Sequence, residues 1–473
     1  MVDFDTGEAE ALGTRKQFVV YAAANVAITI GLYFLLRDTR QTIAASIFFA
    51  LVIGTLMFWK FRVAIAFIGI VALLVTGTID LQHTIEFMNL DVILFLVGMM
   101  VLVGLLRRSG FFRWALAKGL RLSNFGPTRL MLIILFLSAL AAAMVDEVTS
   151  ILFVAALVLD MCDFFKVNPV KYLISVVLAT NIGSSWTVLG NPVGILIALR
   201  SGLTFGDFLG TALPIGVFAL ISLIVVVLIW QRKDLREIGE RFGAASPAER
   251  AGFLSSLDRI ENRGFFRGSA VLFVTVIVFL ALHSHLEAVL NLQHNTLLVT
   301  ASLFGAGVAM LWKRGLAREL ITKDVDWWTL IFFMFLFAKV GAIKYVGLSD
   351  RIGEAMFNMW GGSLPLLIVA MLWISAFLSA GLDNVLVVAA FVPMLQYLTQ
   401  QAGTPVLWWA LLFGATYGGN MTMVGSTGNI VCLGMLEDRT GYCITFKDWI
   451  KIGLLGSLVP MTIATVALLI FKA

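Results

Sequence analysis

Two adjacent carboxylates, Asp146 and Glu147, interrupt a long apolar stretch of the sequence. Residues 132–143 before them carry no charge, and residues 151–161 after them are almost entirely apolar. A carboxylate inside a bilayer costs roughly 2.5–3.5 kcal/mol on insertion scales, unless the group takes up a proton instead. A protonated carboxyl can exchange its proton for a metal cation, and an ionised carboxylate can bind Na⁺ directly. The pair therefore predicts a binding site for a coupling ion.

A second acidic position lies in similar surroundings 237 residues later, where Asp383 and Asn384 match Asp146 and Glu147. Thr149 adds a hydroxyl close to the first pair. We predict that these five residues bind the coupling ion, either a proton or Na⁺, with Asp146 and Asp383 as the positions for Na⁺.

Each acidic position is followed by a polar run of small residues, IGSSWTVLGN in the first half and YGGNMTMVGSTGN in the second. A third element, TFGDF or TFKDW, follows in the same order, so that the three offsets are 237, 235 and 241 residues. In hydrocarbon, unwound backbone is tolerated only where protein buries it or a watery cavity reaches it. The runs therefore predict a substrate site, formed by Asn181, Gly183, Ser184, Ser185, Thr187, Asn191, Gly418, Gly419, Asn420, Thr422, Ser426, Thr427 and Asn429.

The same residues also have a structural interpretation. The acids could form ion pairs at helix ends, and the glycines and serines could allow close helix packing. The asparagines could cap half-helices. The symmetric placement of the acids in apolar surroundings favours function for them, whereas capping and substrate binding are compatible for the asparagines.

The composition is that of a membrane protein. Of the 473 residues, 60% are hydrophobic and 13% are charged, against about 25% charged in soluble proteins. The excess of basic residues does not indicate nucleic-acid binding, because membrane proteins collect Lys and Arg in cytoplasmic loops. Apolar windows of roughly 20 residues predict spans near residues 18–36, 43–60, 61–78, 91–107, 211–231, 268–286, 295–312, 327–345 and 452–471.

Two further apolar regions, 128–200 and 364–436, are interrupted by the polar clusters. We interpret each as a re-entrant helical hairpin followed by a broken helix. The hairpins are predicted at about 128–165 and 364–400, and the broken helices at about 170–200 and 405–436. The predicted domains are an N-terminal segment with the first transmembrane helix (1–42), a first repeat (43–231), a cytoplasmic linker (232–267) and a second repeat (268–473).

Basic residues concentrate in three connections. Residues 107–129 contain six basic residues and no acid, residues 232–267 contain eight, and a third cluster lies at 313–323. The positive-inside rule places all three in the cytoplasm. The N-terminus is then cytoplasmic and the repeats are inverted, as in many secondary transporters whose site lies at interrupted helices. We predict a multi-pass protein of the plasma or inner membrane.

The motifs TNIGSSWTVLGNP, SAGLDNV and GGNMTMVGSTGNIVCLGM resemble those of the ion transporter superfamily. Its members include arsenite efflux pumps, plant silicic acid exporters, the P protein, NhaD-type sodium/proton antiporters and, more distantly, sodium-coupled dicarboxylate carriers. The resemblance covers about residues 43 to 471. It implies an all-α fold with two inverted repeats, each built from scaffold helices, a hairpin and a broken helix. It also implies a homodimer that works by an elevator motion.

Residues at single positions favour some groups of transporters within the superfamily over others. Val145 and Leu382 stand where dicarboxylate carriers have serine, which disfavours a dicarboxylate substrate. The pair Asp383 and Asn384 is similar to the antiporters and the P protein. Asn191 stands where the antiporters have an acid, and its surroundings are similar to the arsenite and silicic acid exporters.

These observations predict a secondary active transporter and not an enzyme, since the sequence shows neither a nucleophile arrangement nor a metal-ligand pattern. No cofactor is expected beyond Na⁺ or H⁺ as the coupling ion. We expect a proton- or cation-coupled antiporter or efflux permease for a small ion or oxyacid of the sodium, arsenite or silicic acid class. The alternatives are a sodium-coupled symporter of carboxylates or other anions and, less favoured, an ion channel. The motifs contain no Arg to bind an anion.

Overall fold

The computed structural model describes residues 4–123, 126–244 and 262–471, together with residues 246, 248, 249, 252 and 260. The described part of the chain is helical and contains no strand. Among the described residues, eleven helices are long and apolar enough to span a membrane, or twelve if the bent pair Thr296–Trp312 and Arg314–Asp324 counts as one span. The predicted all-α polytopic fold is thereby confirmed.

Contacts between helices divide the chain into two compact units. The small unit comprises Met1–Ile93 and Asp326–Met359, and so contains parts of both predicted repeats. Its helix Arg62–Val75 has 14 residues, fewer than the predicted span 61–78, because the chain turns at Thr76 and Gly77, where Gly77 has a φ of 63°. The complete helices of this unit are Phe4–Leu36, Thr39–Met57, Arg62–Val75, Leu81–Glu86, Trp327–Tyr345 and Leu348–Met359.

One lysine in the helix Trp327–Tyr345 of the small unit is buried. The side chain of Lys339 is almost fully buried, and its ammonium donates to the carbonyl of Ile65 at 3.4 Å. Space for it exists because residue 69 is glycine, where an added Cβ would lie 2.6 Å from the lysine Nζ.

The large unit comprises Leu94–Val325 and Trp360–Ala473 and contains every predicted site residue. The predicted linker begins as the helix Arg232–Ala244, which buries Leu235, Ile238 and Phe242; most of residues 245–261 lie outside the described part. Besides most of Leu90–Arg108, the described helices of this unit are Phe111–Ser123, Pro127–Val145, Glu147–Phe165, Val170–Gly183, Pro192–Ser201, Phe205–Trp230, Arg232–Ala244, Arg263–Leu290, Thr296–Trp312, Arg314–Asp324, Leu364–Gly381, Asn384–Ala402, Val406–Gly418, Thr427–Thr440 and Phe446–Phe471.

Two pairs of consecutive helices lie in the regions for which the helical hairpins are predicted, and we keep the name hairpin for each pair. The first hairpin consists of Pro127–Val145 and Glu147–Phe165, which meet at Asp146. The second hairpin consists of Leu364–Gly381 and Asn384–Ala402. Their arms have 18 or 19 residues and pass the length and hydropathy criteria for a membrane span. Re-entry of the hairpins therefore stays a prediction.

Two broken segments follow the hairpins. The first broken segment consists of Val170–Gly183 and Pro192–Ser201, and the second of Val406–Gly418 and Thr427–Thr440. The helices stop at the predicted polar runs because Gly, Ser and Asn favour turns and caps over helix interiors. The first segment resumes at Pro192, whose fixed φ and missing N–H suit the first turn of a helix.

Equivalent contacts hold each broken segment against the first arm of its hairpin. The Thr187 hydroxyl donates to the carbonyl of Ala143, and the Thr422 hydroxyl donates to that of Ala380. Gly183 likewise lies against the backbone of Ala139, and Gly418 lies against that of Ala376. In both comparisons, the residues of the second contact follow those of the first by 235 or 237 positions in the sequence. The two hairpin and broken-segment pairs therefore share one packing arrangement.

The close backbone approach at Gly183 and Gly418 predicts that alanine is harmful at both positions. A Cβ at either residue would overlap backbone atoms of the hairpin arm, which cannot rotate away as a side chain can. We expect Gly183→Ala and Gly418→Ala each to lower the free energy of unfolding by about 1–3 kcal/mol, the usual cost of overpacking. Thermal unfolding of the purified protein in detergent measures the effect.

Gly434→Ala is the matched control, because no atom lies within 4 Å of an added Cβ there. It should leave the unfolding midpoint unchanged or raise it, since Ala is favoured over Gly within a helix. Equal effects of all three substitutions would contradict the packing arrangement.

Candidate ion and substrate site

The carboxylate of Glu147 lies at the centre of the candidate site. Glu147 is the first residue of the second arm of the first hairpin and is only 2% exposed. The amide Nδ2 of Asn384 donates to its two oxygens at 3.3 and 3.4 Å. The Ser426 hydroxyl donates to Oε1 at 3.4 Å. One buried carboxylate thus contacts the tip of the second hairpin and the break of the second broken segment.

A chain of buried side chains continues from Ser426 into both breaks. The Ser426 hydroxyl also lies 3.2 Å from Oδ1 of Asn181. The Asn181 amide donates to Oδ1 of Asn420 at 2.8 Å and to Oδ1 of Asn429 at 2.9 Å. The Asn429 amide in turn donates to the carbonyls of Gly419 and Thr422, each at 2.9 Å. Asn181 therefore joins the first broken segment to the second.

The aspartates at the two hairpin tips both act as helix caps. Oδ1 of Asp146 accepts from the N–H of Thr149 at 2.8 Å, and Oδ1 of Asp383 accepts from the N–H of Val385 at 3.0 Å. The second oxygen of Asp383 accepts from the Thr427 hydroxyl at 2.5 Å. Asp146 is half-buried and has a φ of 102°, a conformation that costs energy for a residue other than glycine.

Residues from four helix N-termini surround Glu147. Each N-terminus is capped from within its own segment, two by carboxylates and two by the neutral side chains of Asn191 and Ser426. Helix N-termini stabilise negative charge, so this environment can hold several acids close together. The carboxyl groups of Asp383 and Asp146 lie near that of Glu147, and negative charges held close together nevertheless repel one another. A bound cation or proton would relieve this repulsion.

Neither Glu147 nor Asp383 forms an ion pair with Lys, Arg or His among the described residues. The structural interpretation of these two acids as ion-pair partners is therefore not realised. A charge taken out of water without a counter-charge is costly. The geometry leaves this part of the site suited to a cation or a proton.

The oxygen atoms at this position match the ligands of a hard cation, which binds carboxylate and amide oxygens. Besides the Glu147 carboxylate, Oδ1 of Asn384 is buried and has no hydrogen-bond partner within the described residues. Such orphaned buried acceptors are rare in folded proteins. The same part of the chain holds no group of three or more His, Cys, Asp or Glu side chains that could bind a metal ion, so any cation site here relies on mixed oxygen donors.

The remaining predicted substrate residues stabilise the backbone of the two breaks, 184–191 and 419–426. Within the first break, the Asn191 amide donates to Oγ of Ser184 at 2.9 Å. Ser185 lies 3.1 Å from the hydroxyl of Tyr417. Thr187, Thr422, Gly183 and Gly418 fasten the breaks to the hairpins as described above, and an added Cβ at Gly419 would meet the carbonyl of Gly425. Asn191 caps a half-helix, as the structural interpretation of the asparagines expected, and Ser426 caps another, a role that was not predicted for it.

Two aromatic residues contact the site although the sequence did not predict them as members of it. Tyr417 is fully buried, and its carbonyl accepts from the Ser457 hydroxyl at 2.6 Å. The indole N–H of Trp449 donates to the carbonyl of Asn420 at 3.0 Å. Both residues lie in the repeated motifs, Tyr417 at the start of the second polar run and Trp449 at the end of TFKDW. Repetition of the motifs was the signal that could have identified them.

Comparison with known proteins agrees with this architecture. The family model CitMHS, described as citrate transporter, matches residues 48–414 and 340–473. The uncharacterized transporter Rv2684 of Mycobacterium tuberculosis is 34% identical over 387 residues, covering 80% of this chain and 85% of that protein. The human P protein is 26% identical over 519 residues, which cover 92% of this chain and 60% of the P protein.

Two solved structures share the fold. Neisseria gonorrhoeae MtrF, described with a class of antimetabolite efflux pumps, aligns with a TM-score of 0.52 and 14% identity over 85% of this chain and 84% of MtrF. The YdaH transporter of Alcanivorax borkumensis, described as having an unusual topology, aligns with a TM-score of 0.51 and 16% identity over 79% of this chain and 84% of YdaH. The family match, the relatives and the multi-span fold together identify a transporter and not an enzyme. The chain belongs to the citrate transporter family, within the ion transporter superfamily.

Proposed function

We propose that this secondary transporter is a proton- or cation-coupled antiporter, in which Glu147 and Asp383 bind the coupling ion. The observation that carries the proposal is the burial of Glu147 against uncharged donors, with no basic partner among the described residues. A buried carboxyl without a counter-ion alternates readily between a protonated and a cation-bound form, because each neutralises the charge. This alternation is what antiport requires.

The polar lining favours a small ion or an uncharged oxyacid as the transported species. Asn181, Asn420, Asn429 and Ser426 present amides and hydroxyls, which can bind a neutral hydroxylated molecule or replace part of a cation's hydration shell. The three nearby acids would repel an anion. The candidates are Na⁺ or Li⁺, arsenite and silicic acid, and the expected direction is export.

We further propose that the two hairpins and two broken segments move together as one transport body. Hydrogen bonds from Glu147 and Asn181 join elements of both repeats and support this idea. With the family resemblance, the proposal extends to an elevator motion against a dimeric scaffold, inverted repeats and a cytoplasmic N-terminus. The protein is then placed in the plasma or inner membrane.

The second candidate is a sodium-coupled symporter of carboxylates. Two observations favour it: the matching family carries the description citrate transporter, and two helix N-termini are capped by the neutral side chains of Asn191 and Ser426. Backbone N–H groups at such termini can bind a carboxylate. In this alternative the acids hold Na⁺ and the breaks hold the substrate.

A transport assay separates the two candidates. Purified protein is reconstituted in liposomes that contain a pH dye, and Na⁺, Li⁺, arsenite, silicic acid or citrate is added under an imposed proton gradient. We expect a cation or an oxyacid to change the internal pH, and Asp383→Asn to abolish that change. A signal that depends on Na⁺ and citrate together would favour the symporter. If Glu147→Gln and Asp383→Asn both left coupled transport unchanged, these two acids would not be the coupling site.

A further inference from the structure

A basic cavity lies away from the acidic site, in the same large unit. It has a volume of about 440 Å³, and its lining includes Arg107, Arg108 and Arg113 but no acidic residue. It is formed by the end of the helix Leu90–Arg108, the start of the helix Phe111–Ser123 and the region where the helix Arg263–Leu290 begins. A cavity with three arginines matches a phosphate group, because guanidinium binds phosphate oxygens in pairs.

Two of the arginines are held in place by acids outside the cavity lining. Both Arg107 and Arg108 donate to Asp324, and Arg108 also donates to Glu319 at 3.0 Å. The Asp324 side chain is fully buried. Each guanidinium has five N–H donors, so these bonds orient the arginines and leave further donors available. Lys313, whose Nζ lies 4.5 Å from the ring of the cavity residue Phe265, adds another positive charge.

An apolar groove lies beside the basic cavity. A second space of about 130 Å³ shares Phe112 and Phe153 with the basic cavity and runs beside Leu137, Leu140 and Met144 of the first hairpin. A charged cavity that shares two aromatic lining residues with an apolar groove matches a molecule with an anionic head and a hydrocarbon chain. A free phosphate would use only the basic part.

The neighbouring helix Phe111–Ser123 has the composition of a helix at a membrane surface. It carries Arg113, Lys118 and Arg121 beside Trp114, and the Lys118 ammonium lies 5.2 Å from the Trp114 ring. Basic amphipathic helices bind at bilayer interfaces, where Trp is enriched, and basic pockets between membrane helices bind anionic headgroups. We propose that the cavity and groove bind one anionic glycerophospholipid, with its phosphate at the arginines and an acyl chain along the first hairpin.

Equilibrium binding to the purified full-length protein in detergent tests this proposal. The probes are dioleoylphosphatidylglycerol, dioleoylphosphatidylcholine and inorganic phosphate. We expect phosphatidylglycerol to bind best. Arg113→Gln should weaken it about fivefold, which corresponds to the ~1 kcal/mol that one basic residue contributes near anionic lipid. Arg236→Gln, an exposed charge on the helix Arg232–Ala244, is the matched control and should have no effect.

A second variant tests the groove. Ala141→Leu places extra atoms in the groove beside the first hairpin and should weaken phosphatidylglycerol binding without changing the response to inorganic phosphate. A thermal unfolding curve that matches the wild type shows that the variant is folded. Equal affinity for the two lipids, no effect of Arg113→Gln, or inorganic phosphate binding as tightly as phosphatidylglycerol would overturn the proposal.

Discussion

Replacing Glu147 with glutamine should abolish cation-coupled proton movement while leaving the protein folded. Glutamine keeps the size of the side chain and can still bond to Asn384 and Ser426, which contact the carboxylate in the wild type. It can neither release a proton nor neutralise a cation. Losing one charged partner of a buried ion contact costs about 2–5 kcal/mol of binding free energy. A loss of ~1.4 kcal/mol lowers a binding affinity tenfold. We therefore expect the apparent affinity for the coupling cation to fall at least about thirtyfold.

Proton flux in the dye-loaded liposomes measures the loss of coupled proton movement, and calorimetric titration of the purified protein with Na⁺ or Li⁺ measures the cation affinity. Glu437→Gln is the matched control, because it removes the same charge from an exposed position on the helix Thr427–Thr440. It should behave as the wild type. Unchanged cation affinity in Glu147→Gln would show that this carboxylate is not the coupling group.

Replacing Asn181 with alanine should cause a large loss of stability. Its side chain is fully buried and donates to Asn420 and Asn429, and its Oδ1 lies 3.2 Å from the Ser426 hydroxyl. The change leaves these partners buried with fewer hydrogen bonds, and each unsatisfied group costs about 1–3 kcal/mol. We expect the free energy of unfolding to fall by about 2–5 kcal/mol in total, and transport to be lost because the two broken segments separate. Thermal unfolding in detergent measures the first effect.

Thr180→Val controls for this change at the neighbouring residue. The Thr180 hydroxyl is buried and has no hydrogen-bond partner within the described residues, so exchanging it for a methyl group removes an unsatisfied group at nearly constant volume. Stability should be retained or slightly raised. A loss of stability in Thr180→Val as large as that in Asn181→Ala would contradict the central role of the Asn181 network.

Much of the fold could be predicted because its signals are local. Apolar runs with few charges gave most of the spans, and Gly, Ser and Asn in the polar runs gave the helix breaks. The breaks occur after Gly183 and Gly418, inside the predicted broken helices. Pairing of equivalent motifs also predicted that Thr187 and Thr422 occupy matching positions, and both donate to matching carbonyls.

The division into units and the partners within the site could not be predicted in the same way. They depend on contacts between residues more than 230 positions apart, such as Asn181 with Asn420, and no local pattern specifies which polar groups pair. Asp146 illustrates the limit. It stood out as strongly as Glu147 in sequence, yet it is half-buried and caps a helix, whereas Glu147 occupies the centre. Which of two adjacent acids turns inward depends on the backbone at the tip.

Cation-induced proton release from the purified protein tests the central claim most directly. The detergent-solubilised protein is held in weakly buffered solution with a pH dye, and Na⁺ or Li⁺ is added. If the buried carboxyl exchanges a proton for a cation, the wild type and Glu437→Gln should release protons with saturation, and Glu147→Gln should release fewer or none. No proton release from the wild type, or equal release from Glu147→Gln, would contradict the assignment of Glu147 as the coupling-ion site.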